Sequence, residues 1–278
     1  MPEPLFKIIE NTRLKKPLIH CITNYVTAND TANLLLAAGA RPVMADDIME
    51  VEQIVANSCG LVLNIGTLNS RTVESMTAAA KVALKLGLTV VLDPVGAGAS
   101  TFRTSTAKAL LDLAKPSAVR ANMSEIKAAL GAGGGASGVD AAAADSVDDS
   151  NLDAAVSFLQ NAAEKSGAVL AATGAIDLVC DHHKCYIIKN GVPQMSYVTG
   201  TGCMLSALLC AYVSANPENV LDAAAAAVIA MGLCGEAALK RMGPQDGNIA
   251  LRNYIIDAVY NLDSDKFMKG AKYEIRQA

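Results

Sequence analysis

Short, almost wholly apolar runs alternate along this chain with longer runs in which apolar residues recur every three or four positions. Runs of the first kind cover Leu18–Thr23, Pro42–Ala45, Leu61–Ile65, Thr89–Asp93, Ala118–Ala121 and Ala168–Ala172. Continuous hydrophobicity without polar alternation predicts strands covered on both faces. Runs of the second kind cover Ala28–Ala38, Asp47–Ala56, Asn69–Leu86, Thr104–Leu113, Ser124–Leu130 and Leu152–Lys165, and predict helices. Strands alternating with helices imply βαβ units and a parallel sheet with helices on both faces. Leu178–Cys180 and Cys185–Ile188, flanking Asp181-His182-His183-Lys184, predict an antiparallel hairpin attached to that sheet. Three helices, Cys203–Ser214, Val220–Arg241 and Ile249–Leu262, are expected to close the chain. The expectation is one α/β domain over residues 1–278 with a mostly parallel central sheet.

Composition narrows the class. Hydrophobic residues make up 52% of the 278 and aromatics only 4%, with no Trp, so the core must be built from Ala, Val, Leu and Ile. Net charge is −4 without a basic run, which argues against a nucleic-acid partner. Seven cysteines lie scattered without a CxxC pair, the pattern of reduced thiols in a cytoplasmic protein. Met1–Glu10 lacks the basic start and apolar core of a signal peptide. Val220–Leu239 is apolar but mostly Ala and contains Asp222 and Glu236, so it reads as a buried helix and no membrane partner is expected. Gly131–Ser150 is low in complexity, rich in Gly, Ala and Asp; it reads as a surface connection, with a lid over the site as the alternative.

The chemistry concentrates where strands end. Thr199-Gly200-Thr201-Gly202-Cys203 runs directly into an apolar helix. Glycines there permit a tight turn and close approach, and the first amides of the helix, backed by its dipole, would hold an anion such as a phosphate. The same field would favour the Cys203 thiolate. A plain tight connection with a buried Cys is the alternative. Ligands of an open parallel sheet bind beyond the C-terminal strand ends, and here those ends carry Asn24, Gly66-Thr67, Asp93-Pro94, Asn122 and Thr173-Gly174. Asp93 suits either a strand stop or a Mg²⁺ ligand. Asn122 with Glu125 is a capping-box pair that could also serve a metal or its waters beside phosphate oxygens. Arg120, charged within an apolar strand, favours an anionic ligand over an internal ion pair. Met44 and His20 read by default as core, and His182 and His183 as an exposed hairpin tip. No G-x-x-x-x-G-K-[ST] loop is present, which excludes the ordinary P-loop route.

From Pro17 to about Pro244 the chain resembles the hydroxyethylthiazole kinases of thiamine synthesis and salvage, which have a ribokinase-like fold. The resemblance rests on Ile22-Thr23-Asn24, Pro42-Val43-Met44-Ala45, Leu63-Asn64-Ile65-Gly66-Thr67-Leu68, Leu92-Asp93-Pro94-Val95-Gly96-Ala97-Gly98, Arg120-Ala121-Asn122 with Glu125, Thr173-Gly174 and the Gly-Thr-Gly-Cys turn. Relatives of this fold that act on sugars and vitamins usually place Asp where Cys203 stands. The resemblance implies ATP- and Mg²⁺-dependent phosphorylation of the primary alcohol of 4-methyl-5-(2-hydroxyethyl)thiazole. It implies substrate contacts at Met44, Gly200 and Asn24, nucleotide contacts at Arg120, Thr173 and Asn122, and metal contacts at Asp93 and Glu125. Gly200, Thr201 and Gly202 would offer amides to the transferring group, with Cys203 in the place of the base. A homotrimer is implied, with the substrate site near a subunit boundary. Alternatives are a kinase of a hydroxymethylpyrimidine or pyridoxal alcohol, a thiol hydrolase using Cys203, and a non-catalytic nucleotide-binding protein.

Overall fold

The structure, a computed structural model, describes residues 5–131 and 147–277. Its first half runs α1 (Leu5–Lys15), β1 (Leu18–Ile22), α2 (Ala28–Ala37), β2 (Arg41–Val43), α3 (Val51–Ala56), β3 (Gly60–Asn64), α4 (Ser70–Leu86), β4 (Thr89–Asp93), α5 (Thr101–Ala114), β5 (Ala118–Ala121) and α6 (Met123–Ala129). The second half runs α7 (Leu152–Ser166), β6 (Val169–Ala172), β7 (Asp177–Cys180), β8 (Lys184–Ile188), α8 (Thr201–Ala215), α9 (Val220–Arg241), α10 (Asn248–Tyr260), α11 (Ser264–Gly270) and β9 (Tyr273–Gln277). The nine strands of the described residues join one sheet in the order β2-β1-β3-β4-β5-β6-β7-β8-β9. The pairings from β2 through β6 are parallel and the remaining three antiparallel. The mixed α/β expectation is met.

Successive side chains of a strand point to opposite faces, and here both faces are covered. Val62 and Val91 face a core built with α1, α2, α8, α9 and α10, while Leu61, Leu63, Val90 and Leu92 face one built with α4, α5 and α7. Full burial of one such side chain contributes about 1.5–3 kcal/mol. Helix α9 is long and apolar enough to cross a membrane by composition, yet Ala223–Ala230 are all buried against the sheet and its neighbouring helices. The order of strands reverses at β1, whose flanks are β2 and β3. Ligands of such sheets bind beyond the strands' C-terminal ends, and α8 packs across β1, β3 and β4.

Three expectations change. Asp47–Ala56 is helical only from Val51, because Asp47 Oδ1 accepts the Met49 amide in a side-chain-closed turn at 2.9 Å. Helix α1, helix α11 and strand β9 extend the expected order, so three helices do not close the chain. Cys180 and Cys185 stand directly opposite in the β7–β8 register and are joined as a disulfide, whereas Cys21, Cys59, Cys203, Cys210 and Cys234 are free. The expected connection at Gly131–Ser150 falls largely on 132–146, outside the described residues.

Candidate functional site

Helix α8 begins without a side-chain cap. Gly200 adopts φ +91°, and the first helical hydrogen bond runs from Met204 N to the Gly200 carbonyl at 2.8 Å. The amides of Thr201, Gly202 and Cys203 precede that bond and lack an intrahelical acceptor. A side chain at Gly200 would overlap Thr27, and one at Gly202 would overlap the Arg120 guanidinium. The two glycines therefore let the helix end lie directly against β1's exit and against β5.

Asp93 closes β4 and is fully buried. Its Oδ2 accepts from Asn64 Nδ2 at 2.7 Å and Ser206 Oγ at 2.7 Å, with Arg120 Nη1 at 3.7 Å. Oδ1 is buried and has no partner. Burial pushes the Asp93 carboxyl up to about 6, against the pull of Arg120, Ser206 and Asn64. Arg120 reaches across to Thr173, Nη2 donating to Oγ1 at 2.7 Å. Cys203 accepts from Asn24 Nδ2 at 2.9 Å, and the same amide lies 3.4 Å from Asn64 Oδ1. Hydrogen bonds and the Arg120–Asp93 ion pair thus join Cys203, Asn24, Asn64, Asp93, Arg120 and Thr173 in one set.

The expected thiolate at Cys203 is not what the site favours. Burial raises the Cys203 thiol, Asp93 raises it further, and Thr27, Asn64 and Arg120 pull it down by less. Desolvation of a charged sulfur outweighs the field of a single helix end. Glu125 is spoken for at both oxygens: Oε1 accepts Gly96 N at 2.7 Å and Oε2 accepts Asn122 N at 3.0 Å. Asn122 Oδ1 caps α6 through Glu125 N at 2.8 Å, so the capping box holds, and it joins the β4 exit to the β5 exit.

Beside this set lies a cavity of about 610 Å³, within the usual range for a small-molecule site. Arg120, Asn122, Thr173, Thr201 and Gly202 form its polar end, while Leu205, Val228 and Met231 form apolar wall. Asp177 also lines it; burial pushes this carboxyl to about 6 although it accepts Gly174 N at 2.8 Å. Met44 stands apart from the cavity lining, 39% exposed beyond edge strand β2. Its neighbour Ala45 is pinned by His20, Nε2 to the Ala45 carbonyl at 2.8 Å.

Among the described residues no three His, Cys, Asp or Glu side chains are grouped to hold a metal ion. Mg²⁺ is commonly held by one or two carboxylates together with substrate phosphates and water; Asp93 keeps an oxygen that could serve such an ion, whereas each oxygen of Glu125 already accepts a backbone amide. The unpartnered Oδ1 of Asp93 is the observation that favours this. Asn64, Ser206 and Asp177 were not singled out from the sequence. Asn64 carried the same signal as Asp93, a polar residue ending an apolar strand; Ser206 stands three residues after Cys203, on the same face of α8.

The sequence profile of the hydroxyethylthiazole kinase family matches residues 9–265. A hydroxyethylthiazole kinase from Clostridium acetobutylicum is 53% identical over 96% of this chain and 97% of its own length. The solved hydroxyethylthiazole kinase from Pyrococcus horikoshii OT3 is 33% identical and superposes with a TM-score of 0.85 over 99% of this chain and 98% of that one. A pyridoxal kinase from Staphylococcus aureus, at 14% identity and a TM-score of 0.61 over 94% of this chain and 99% of that one, shares the fold.

Proposed function

Because this chain belongs to the hydroxyethylthiazole kinase family, we propose that it transfers the γ-phosphoryl group of ATP to the primary alcohol of 4-methyl-5-(2-hydroxyethyl)thiazole, in thiamine biosynthesis or salvage. The observation that carries the site assignment is the meeting of the open α8 amides with Asp93, Arg120 and Cys203 at one crevice.

Phosphoryl transfer demands alignment and charge stabilisation more than covalent chemistry, since the transition state is loose and its charge lies on the phosphoryl oxygens. Arg120 and Thr173 would hold the phosphates at the polar end of the cavity, with the base on the apolar wall. The amides of Thr201, Gly202 and Cys203 would receive the transferring group, fixed donors that need no rearrangement as charge develops. Asp93 and Glu125 would hold Mg²⁺, which when bound neutralises phosphate charge. Asn24 orients Cys203. A thiol kept protonated by burial acts first by orienting the acceptor hydroxyl, so removing it slows transfer without preventing binding. Cys203→Ala is expected to lower kcat by about ten- to a hundredfold with KM for ATP little changed; full activity in that variant would remove Cys203 from the mechanism.

Met44 and Gly200 would contact the thiazole. Exposed apolar side chains around β2 and the β1 exit, Tyr25, Val26, Met44, Ile48 and Met49, support a homotrimer in which this edge meets a neighbouring subunit and completes the substrate site. We place the reaction in the cytoplasm. A thiol-hydrolase role has less support: among the described residues Cys203 meets Asn24, Thr27, Asn64, Asp93 and Arg120 and no histidine, and His182 and His183 lie exposed at the β7–β8 tip. The test is purified protein with Mg-ATP and a panel of thiazole, hydroxymethylpyrimidine and pyridoxal alcohols. Thiazole phosphate as the preferred product is expected; preference for either other alcohol overturns the assignment.

A further inference from the structure

Arg103, in the first turn of α5, is a half-buried cation that the mechanism leaves unused. Its guanidinium donates to three main-chain carbonyls: Nη1 to Ile65 at 2.7 Å and Val95 at 2.8 Å, and Nη2 to Gly66 at 2.9 Å. Ile65-Gly66 is the turn leaving β3 and Val95 lies in the turn leaving β4, so one rigid fork bridges the exits of two adjacent strands. Each of those turns supports one half of the reacting set. On the β3 side, Gly66 N donates to Asn64 Oδ1 at 2.9 Å. Gly66 also sits so close to Asn24 that a Cβ there would lie 2.8 Å from Asn24 Nδ2, the group that donates to Cys203. On the β4 side, Gly96 N donates to Glu125 Oε1, and Gly96 itself packs on the Arg103 stem, where a Cβ would lie 3.1 Å from Cδ.

We propose that Arg103 is a positioning residue that fixes the separation between the acceptor side of the site, Asn24 and Cys203, and the carboxylate side, Asp93 and Glu125. This rests on the kinase reading above. A planar guanidinium satisfies three carbonyls in one geometry, whereas a lysine ammonium is a point charge on a flexible stem and holds them less rigidly. Arg103 does not line the cavity, so its loss removes no group that touches the nucleotide and instead shifts the acceptor side relative to the carboxylate side. Misplacement of reacting groups by about 1 Å costs on the order of a hundredfold in rate.

Arg103→Ala and Arg103→Lys are compared with the parent by steady-state kinetics and by the rate at which iodoacetamide labels Cys203, read by peptide mass with exposed Cys59 as internal control. In Arg103→Ala kcat is expected to fall about ten- to a hundredfold, with both KM values within about threefold, and Arg103→Lys to recover part of the loss. Cys203 labelling is expected to accelerate severalfold in Arg103→Ala, Cys59 labelling to stay unchanged. Unchanged kcat, a loss carried by one KM, or unaltered Cys203 labelling overturns the proposal. Should Arg103→Ala fail to fold, Arg103→Lys decides by the same two readouts, equality with the parent in both counting against it. Should the parent fail to phosphorylate the thiazole, the kinase reading falls, and Cys203 labelling alone decides whether Arg103 holds the two turns.

Discussion

At the residue scale, the site is built from groups that sit badly with burial. Asp93 has a folded pKa of about 6 against an ordinary value near 3.9. The folded protein therefore binds this proton more tightly than the unfolded chain, and stability rises as pH falls through about 6 toward 4. Above pH 6 the ionised carboxylate costs roughly 3 kcal/mol. Asp93→Asn should remove that dependence. In metal- and nucleotide-free buffer, urea midpoints of wild type and Asp93→Asn are expected to differ most at pH 7–8, with the variant the more stable, and to converge near pH 4. A constant difference across that range would contradict the assignment. The variant is also expected to lose turnover, since Asn carries no charge for Mg²⁺ or Arg120. Cys203 gives a second lesson at this scale. Its place at a helix start was legible and its protonation was not, because local sequence shows the helix end while burial comes from β1, β3 and β4 arriving alongside.

At the scale of elements, the N-terminus of α8 works only because its glycines allow contact. Gly202→Ala would drive a methyl group into the Arg120 guanidinium, whose far end can swing away. The expected result is a folded protein with a raised KM for ATP and a melting temperature within a few degrees of the parent. An unchanged KM would show that Arg120 does not serve the nucleotide from that position. Strands β3, β4 and β5 were readable because burial on both faces erases polar alternation, leaving runs such as Leu61-Val62-Leu63 and Val90-Val91-Leu92. Strand β9 went unread because it is an exposed edge, Tyr273-Glu274-Ile275-Arg276-Gln277, held to β8 by backbone pairing along its length. Removing residues 273–278 would uncover β8, which carries the buried run Cys185–Ile188, and leave an apolar edge open to pairing with another chain. Thermal unfolding is expected several degrees earlier, with aggregation on heating; an unaltered midpoint would show β9 to be dispensable.

At the scale of the whole molecule, topology explains why residues far apart in sequence act together. The reversal of strand order at β1 places Asn24 beside Asn64, and Asp93 lies next along the sheet. The polar strand ends, the glycine turn and the thiol were visible in the chain. Their partners Ser206, Asp177 and Arg103 were not, since each is defined by what it touches across the fold. Tyr25 and Met49, 79% and 84% exposed, belong to an apolar surface of the kind that marks an interface. On the proposed homotrimer, Met49→Asp is expected to shift sedimentation toward a smaller species and to raise KM for the thiazole more than KM for ATP; sedimentation and kinetics equal to the parent would remove this edge from the proposed assembly. The central claim is that the acceptor alcohol, the α8 amides and the Asp93–Glu125 pair face one transferring group. Its most direct test is a crystal structure with Mg²⁺, a non-hydrolysable ATP analogue and the thiazole alcohol. The γ-phosphate is expected within hydrogen-bond distance of the Thr201–Cys203 amides, between the carboxylates and the hydroxyl. A γ-phosphate bound on another face of the sheet would contradict the account.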